Sequence, residues 1–181
     1  MKVAAPAAIL TTKRLILRPF REEDDKDVFA YAKDDETTRY LTWPAHRDVA
    51  ESAWAIRTFF LKPGVWAICK AEDEVCIGCI ELRTGNDPVD FGYVLRKDLW
   101  GCGYMTEALR AVLDEAFAHL KLDKVTGAHE QGNNASASVM RKCGMHWFAR
   151  KDHVQVSPVK FADMEYYEIT EEQWNADRRR R

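Results

Sequence analysis

Hydrophobic and polar positions along the chain switch between two periods, near two for strands and near 3.6 for helices. Arg14-Leu15-Ile16-Leu17-Arg18 alternates and stops at Pro19, which predicts an opening strand. Val28, Phe29 and Ala32 recur at helical spacing in 23–33, and the acidic run Glu22 to Asp25 suits that helix's positive N-terminal end. A short helical turn is expected near 37–41. Asp48 is placed to cap a helix over 49–61, with Ala50, Ala53, Trp54 and Phe60 on its apolar side and Pro63-Gly64 ending it. Three strands follow, over 65–70, 75–83 and 89–95, the first two joined as a hairpin by 71–74. Met105, Ala108, Leu109, Val112, Ala116, Phe117 and Leu120 line one face of a helix over 104–120. A strand over 124–129, a helix over 135–142 ended by Gly144, strands over 146–155 and 160–169, and a terminal helix over 171–176 complete the pattern.

This order predicts an α+β fold, a mostly antiparallel sheet flanked by helices in one domain. The 181 residues suffice for one sizeable core. Residues 1–10 are expected as a flexible leader, 11–177 as the domain and 178–181 as a basic tail. Hydrophobic residues make up 46% and charged residues 31%, ordinary for a soluble globular protein. The apolar runs fall short of the roughly 20 residues that cross a bilayer, and the first ten residues are too weakly patterned for a secretory signal. No membrane partner is expected, and a cytoplasmic location is. The net charge of −2 gives no basic face for nucleic acid. Among the five cysteines, Cys76 and Cys79 form a CxxC, but strand alternation should point them to opposite faces, and no second pair completes a zinc set. No metal is expected.

The strongest chemical signal is Trp100-Gly101-Cys102-Gly103-Tyr104-Met105-Thr106. It lies between a strand and a helix. Two glycines permit φ > 0 and close approach of a ligand, and the first helical turn offers free N–H groups and partial positive charge. Together these form an anion site suited to a pyrophosphate, with Thr106 and Glu107 helping to cap the turn. The third glycine of a dinucleotide fingerprint and the Lys of a P-loop are both missing.

Trp100-Gly-x-Gly-Tyr-x-Thr-Glu-Ala108 resembles the coenzyme-A-binding motif of the GNAT superfamily, in wording closest to the ribosomal-protein N-terminal acetyltransferases. Thr12-x-Arg14-Leu-x-Leu-Arg18-Pro19 with Glu22-Glu-Asp24 is similar to that branch's opening strand and helix. Gly92-Tyr93-Val-Leu95 is similar to its strand before the cofactor turn, and Asn133-x-x-Ser136-x-x-Val139-x-x-Lys142-x-Gly144 to its late helix. The resemblance spans about residues 11–170. It implies a splayed strand pair that holds the acyl-pantetheine arm against the backbone of Val94 and Leu95, with the Leu95 amide as oxyanion donor. It places the pyrophosphate on the amides of Gly101, Cys102, Gly103, Tyr104, Met105 and Thr106, and Asn133 against the arm. The implied donor is acetyl-CoA and the partner a primary amine, a protein or peptide N-terminus ahead of a small molecule such as an antibiotic, polyamine or amino acid. A non-catalytic acyl-CoA-binding domain is the rival from another class, and a homodimer is compatible with the pattern.

Two positions depart from the superfamily. Asp98 stands where many members have Gln or Arg, and it is expected to point away from a pyrophosphate. Met140 stands where many carry the Tyr that protonates the leaving thiolate, and Met has no proton to give. Ser136 is the candidate replacement. The candidate bases are Glu81, with Asp90, His129 and Glu130 behind it. Deprotonating the acceptor at pH 7 costs about 4.6 kcal/mol for a Lys amine and about 1.4 for an α-amine, from their ordinary pKa values. Trp43, Pro44, His46 and Trp66 are candidates to line the acceptor mouth.

Overall fold

The computed structural model describes residues 8–180. An eight-stranded mixed sheet has the order β1-β2-β3-β4-β5-β6-β8-β7. Its strands are β1 (Leu10–Thr11), β2 (Leu15–Arg18), β3 (Val65–Lys70), β4 (Cys76–Arg83), β5 (Asp90–Leu95), β6 (Lys124–Glu130), β7 (His146–Ser157) and β8 (Lys160–Thr170). The helices are α1 (Asp25–Ala32), α2 (Asp35–Thr38), α3 (Val49–Ala55), α4 (Tyr104–Asp114), α5 (Asn134–Lys142) and α6 (Glu171–Arg178). The predicted α+β fold is the one observed, a mixed sheet flanked by helices.

Local chemistry explains the helix starts. Asp48, Asn133 and Thr170 each accept a backbone N–H of the first turn they precede. α3 and α4 both end in a π-helical turn, at Ile56–Phe60 and Glu115–His119. The extra residue per turn rotates the face that follows. Two cores result. Leu15, Leu17, Ile80, Leu82, Phe91 and Leu95 pack under Met105, Leu109, Val112 and Met140 on one face of the sheet. Val28, Tyr31, Ile56, Ala67, Cys79 and Val94 pack on the other. Burying this much apolar surface, at about 25 cal/mol per Å², is the main stabilising term.

Several expectations need correction. Residues 1–7 of the expected leader lie outside the described residues, but Leu10 pairs with Leu17 and the Ala8 carbonyl accepts the Trp66 indole N–H at 2.9 Å, so 8–10 are tied to the sheet. Arg178, expected in a basic tail, ends α6 and lies 3.1 Å from Asp114. The apolar face drawn for 49–61 is rotated: Trp54 is 53% exposed, while Ser52, Ala55 and Ile56 are buried. Trp66 is 1% exposed in the core and lines no mouth. Cys76 and Cys79 do not face apart. Register slips between Ile68↔Gly78 and Cys69↔Cys76, so Ile77 is an extra residue in β4, and both cysteines join Cys69 in the α1/α3 core.

The feature that positions the site is between β5 and β6. β4 pairs with β5 over its whole length, from Gly78↔Leu95 to Arg83↔Asp90. The parallel neighbour β6 pairs with β5 at Asp90↔Thr126 alone, and thereafter ladders only with β8. The two parallel strands therefore part after one rung, and the outer edge of Phe91 to Leu95 faces a gap.

Candidate active site

The gap is bounded by named backbone groups. The Arg96 N–H donates to the Ile77 carbonyl at 2.8 Å, so by alternation the Leu95 N–H and carbonyl turn away from β4 toward the gap. The Leu95 carbonyl is taken by the Trp100 indole N–H at 2.8 Å. That bond fastens the glycine turn to the end of β5 and leaves the Leu95 amide as the group aimed at the gap. Val94 sits one position back, paired with Cys79 and buried.

The turn itself is built as its glycines require. Gly101 has φ 75° and Gly103 φ 83°, in the left-handed region that other residues enter at a cost. Gly103 precedes the first residue of α4, and its carbonyl accepts the Glu107 N–H. The amides of Tyr104, Met105 and Thr106 are thus first-turn donors without a helical partner. The Cys102 amide already donates to the Leu99 carbonyl at 3.4 Å. Asp98 is turned onto Arg96, with bonds of 2.7 and 3.1 Å, which removes its charge from competition with an anion.

Sequence reasoning matched the opening motif without finding its purpose. Arg14 and Thr12, just before β2, pin the turn although they are about ninety residues away in sequence. The Arg14 backbone N–H and Nε donate to Glu107 at 2.8 and 2.7 Å, the Thr12 hydroxyl donates to the same carboxylate at 2.6 Å, and Arg14 Nη1 donates to the Cys102 carbonyl at 3.0 Å. The guanidinium also lies 4.2 Å from the Tyr104 ring centroid. Arg18 likewise holds Asp24, at the start of α1, through two bonds of 2.7 and 2.9 Å. Arg14, just before β2, and Arg18, at its end, are struts. An open groove of roughly 770 Å³ starts at Gly103 and runs along α4 past Arg14, Arg110 and Lys142.

Partial burial pushes the Glu107 carboxyl up, but hydrogen bonds from Thr12 and Arg14 outweigh it and hold the group below its usual range. A depressed folded value stabilises the fold above the ordinary carboxylate pKa of about 4.3 and loses that effect as pH falls through the folded value. The melting-temperature difference between wild type and Glu107→Gln is therefore expected to be largest near neutral pH and to shrink below about pH 4. A difference independent of pH contradicts this role.

The other predicted residues fall on two faces. Glu81 lies on the α1/α3 face with Cys79 and Arg83, 2.8 Å from Lys62 and 3.5 Å from Arg83. Asp90 is held by Arg83 and Asn86, and Glu130 by Lys160 at 2.6 Å. Ser136 lies on the opposite face, in the first turn of α5. Its amide donates to Asn133 Oδ1 at 3.3 Å, and its carbonyl accepts the Tyr93 hydroxyl at 3.4 Å. Burial pushes the Tyr93 phenol well above its usual range. Met140 is buried one turn further along. Of the expected mouth residues, Trp43 packs on His46 with centroids 5.0 Å apart, and burial lowers the His46 imidazole. Among the described residues no group of His, Cys, Asp or Glu could hold a metal ion, and no helix is long and apolar enough to cross a membrane.

Comparison with known proteins agrees with this architecture. The chain is 25% identical over 168 residues to the uncharacterized N-acetyltransferase YnaD of Bacillus subtilis, covering 92% of this chain and 99% of that one. A putative ribosomal-protein-serine acetyltransferase from Vibrio cholerae superposes with a TM-score of 0.80 at 15% identity, over 92% of this chain and 99% of that one. The Microcin C7 self immunity acetyltransferase MccE, solved with acetyl-CoA and AMP, superposes at 0.78 and 13% identity, over 93% and 98%. Residues 14–146 match the acetyltransferase (GNAT) domain family. Parted parallel strands, a two-glycine turn and this match together establish that the chain belongs to the GNAT family and is an acetyl-CoA-dependent N-acetyltransferase.

Proposed function

We propose that the chain acetylates a primary α-amine at a protein or peptide N-terminus, in preference to small-molecule amines. One observation carries this: every carboxylate candidate for the base is already engaged by a cation. Glu81 faces Lys62 and Arg83, Asp90 faces Arg83, and Glu130 faces Lys160. Using one of them as a proton acceptor means giving up an ion pair. The acceptor that suits such a site is one that loses its proton at little cost, and an α-amine costs about 3 kcal/mol less than a Lys amine at pH 7. The exposed apolar ledge of Trp54, Phe59 and Leu61 precedes Lys62, the partner of Glu81, and suits a peptide chain. The superposition on a putative ribosomal-protein-serine acetyltransferase is in keeping with it.

In this assignment acetyl-CoA lays its pyrophosphate on the amides of Gly101 to Thr106, with Cys102 contributing less because its amide is shared. The arm follows Val94 and Leu95, the Leu95 N–H receives the thioester oxygen as charge develops on it, and Asn133 borders the arm. Glu81 meets the amine on the α1/α3 face. Ser136 on the α5 face hydrogen-bonds the leaving sulfur, in place of the Tyr that Met140 displaces.

Thiol release with an amine panel tests the acceptor class. Ala- and Ser-initiated peptides are expected to exceed spermidine, free amino acids and an aminoglycoside by tenfold or more in kcat/KM, and the reverse order rejects the proposal. In the same assay Ser136→Ala is expected to lower kcat about tenfold with KM for acetyl-CoA unchanged, and unaltered turnover removes Ser136 from the chemistry.

A further inference from the structure

Among the buried polar side chains that the donor site leaves unused is His129, on β6. It is 7% exposed. Its Nδ1 lies 2.8 Å from the Glu130 carbonyl oxygen, and a carbonyl only accepts, so Nδ1 carries a hydrogen. In the neutral ring Nε2 is then a bare lone pair. That Nε2 is buried and has no hydrogen-bond partner among the described residues. A buried polar atom without a partner is costly and calls for a specific explanation.

Its place in the sheet supplies one. Continuing the last rung, Asp90↔Thr126, brings Tyr93 and His129 to the same level on opposite banks of the gap. Both stand on the α4/α5 face. Val125 is in that core, a side chain at Gly127 would meet Phe91 and Met140, and His129 follows at the same parity. Tyr93 on the facing bank bonds the Ser136 carbonyl. The lone pair is thus held at the parting of the strands, on the face assigned to the sulfur, where Met140 offers no proton.

We infer that His129 carries the proton between amine and sulfur, a step that rests on the transfer reaction described above. An arriving ammonium gives its first proton to solvent, with Glu81 still paired to Lys62 and Arg83 beside it. The neutral nitrogen bonds the thioester carbon and becomes positively charged, while the carbonyl oxygen becomes negative. Nitrogen and sulfur are then bonded to one carbon, so a single group beside the sulfur reaches both. His129 Nε2 takes the nitrogen's proton. The carbonyl re-forms, the C–S bond breaks with its electron pair on sulfur, and Nε2–H returns the proton to give the thiol. The ring ends as it began. Nδ1–H stays on the Glu130 carbonyl throughout and fixes the tautomer.

The ionisable groups around the ring are few. β8 brings Tyr167, with ring centroids 5.6 Å apart, and Glu165 opposite in register, its carboxylate bonded to the Trp147 indole. β5 brings Tyr93 and, at the last rung, Asp90, which Arg83 holds. The next residue, Glu130, is held by Lys160. The first seven residues of α5, Asn134 to Met140, carry no ionisable side chain. None of these is a free carboxylate that duplicates the role.

His129→Gln tests the step. With the best amine of the panel, kcat is expected to fall by 10²-fold or more, as for loss of a general acid–base group, with KM for acetyl-CoA within about threefold and the thermal shift on adding acetyl-CoA retained. A kcat within threefold of wild type overturns the proposal. So does loss of the acetyl-CoA shift in a folded variant, which makes His129 a binding residue instead. Should that variant not fold, His129→Asn is read in the same assays, and a kcat within threefold of wild type overturns the step. Wild type that binds acetyl-CoA but turns over no amine rejects the transfer reading itself, a different result from an unimpaired His129→Gln.

Discussion

Gly103→Val is expected to raise KM for acetyl-CoA by roughly 10- to 100-fold. Gly103 holds φ 83° and ψ 0° at the residue before α4. A β-branched residue in that region costs about 1–3 kcal/mol, and each 1.4 kcal/mol is a factor of ten. The new Cβ also meets Arg14 Nη2 at 3.4 Å, so relief of the strain disturbs the arginine that holds the turn. The damage falls on the amides of Tyr104 to Thr106, hence on donor binding, with kcat at saturation much less affected. Gly101→Ala makes a useful comparison, because φ is 75° there but a Cβ meets nothing within 4 Å. It is expected to be the milder of the two. Equal KM values for Gly103→Val and wild type contradict the assignment of this turn.

The second large effect is expected at Gly78, in the strand that backs the site. A Cβ there would lie 2.3 Å from the Val94 carbonyl oxygen and 3.2 Å from the Leu95 Cα. Both are backbone atoms, so neither can swing aside. Gly78→Ala must push β5 outward. Overpacking of this kind costs about 1–3 kcal/mol, which for a domain of this size lowers Tm by about 2–4 °C per kcal/mol. The same push moves the Leu95 amide, and misplacement of about 1 Å costs up to a hundredfold in rate. Melting curves and kcat should fall together. A lowered Tm with unchanged kcat would mean that the Leu95 amide takes no part in the reaction.

The elements were legible in the sequence because their signals are local. Alternation places β2 to β8, the run from Met105 to Phe117 gives the buried face of α4, and Asp48 does cap α3. The glycine turn was legible for the same reason: φ > 0 at Gly101 and Gly103 is a property of those residues. What escaped depends on partners distant in sequence. The extra residue at Ile77 exists only relative to β3, so alternation within β4 misplaced Cys76 against Cys79. Which face of α3 is buried is set by the sheet and by α1 beneath it, so Ser52, Ala55 and Ile56 turn inward and Trp54 faces solvent. The contacts of Arg14 with Glu107 bridge 93 residues, and the motif around Arg14 predicted a strand without that partner. In the site, the sequence supplied Glu81, Ser136 and His129 as candidates but not their faces. Pairing in the sheet separates Glu81 from the other two.

The donor site is tested most directly by a crystal structure with coenzyme A. The pyrophosphate is expected within hydrogen-bond distance of amides between Gly101 and Thr106, and the arm between β5 and β6, with its sulfur on the face that carries Ser136 and His129. A nucleotide bound away from that turn, or an arm outside the parted strands, would contradict the account.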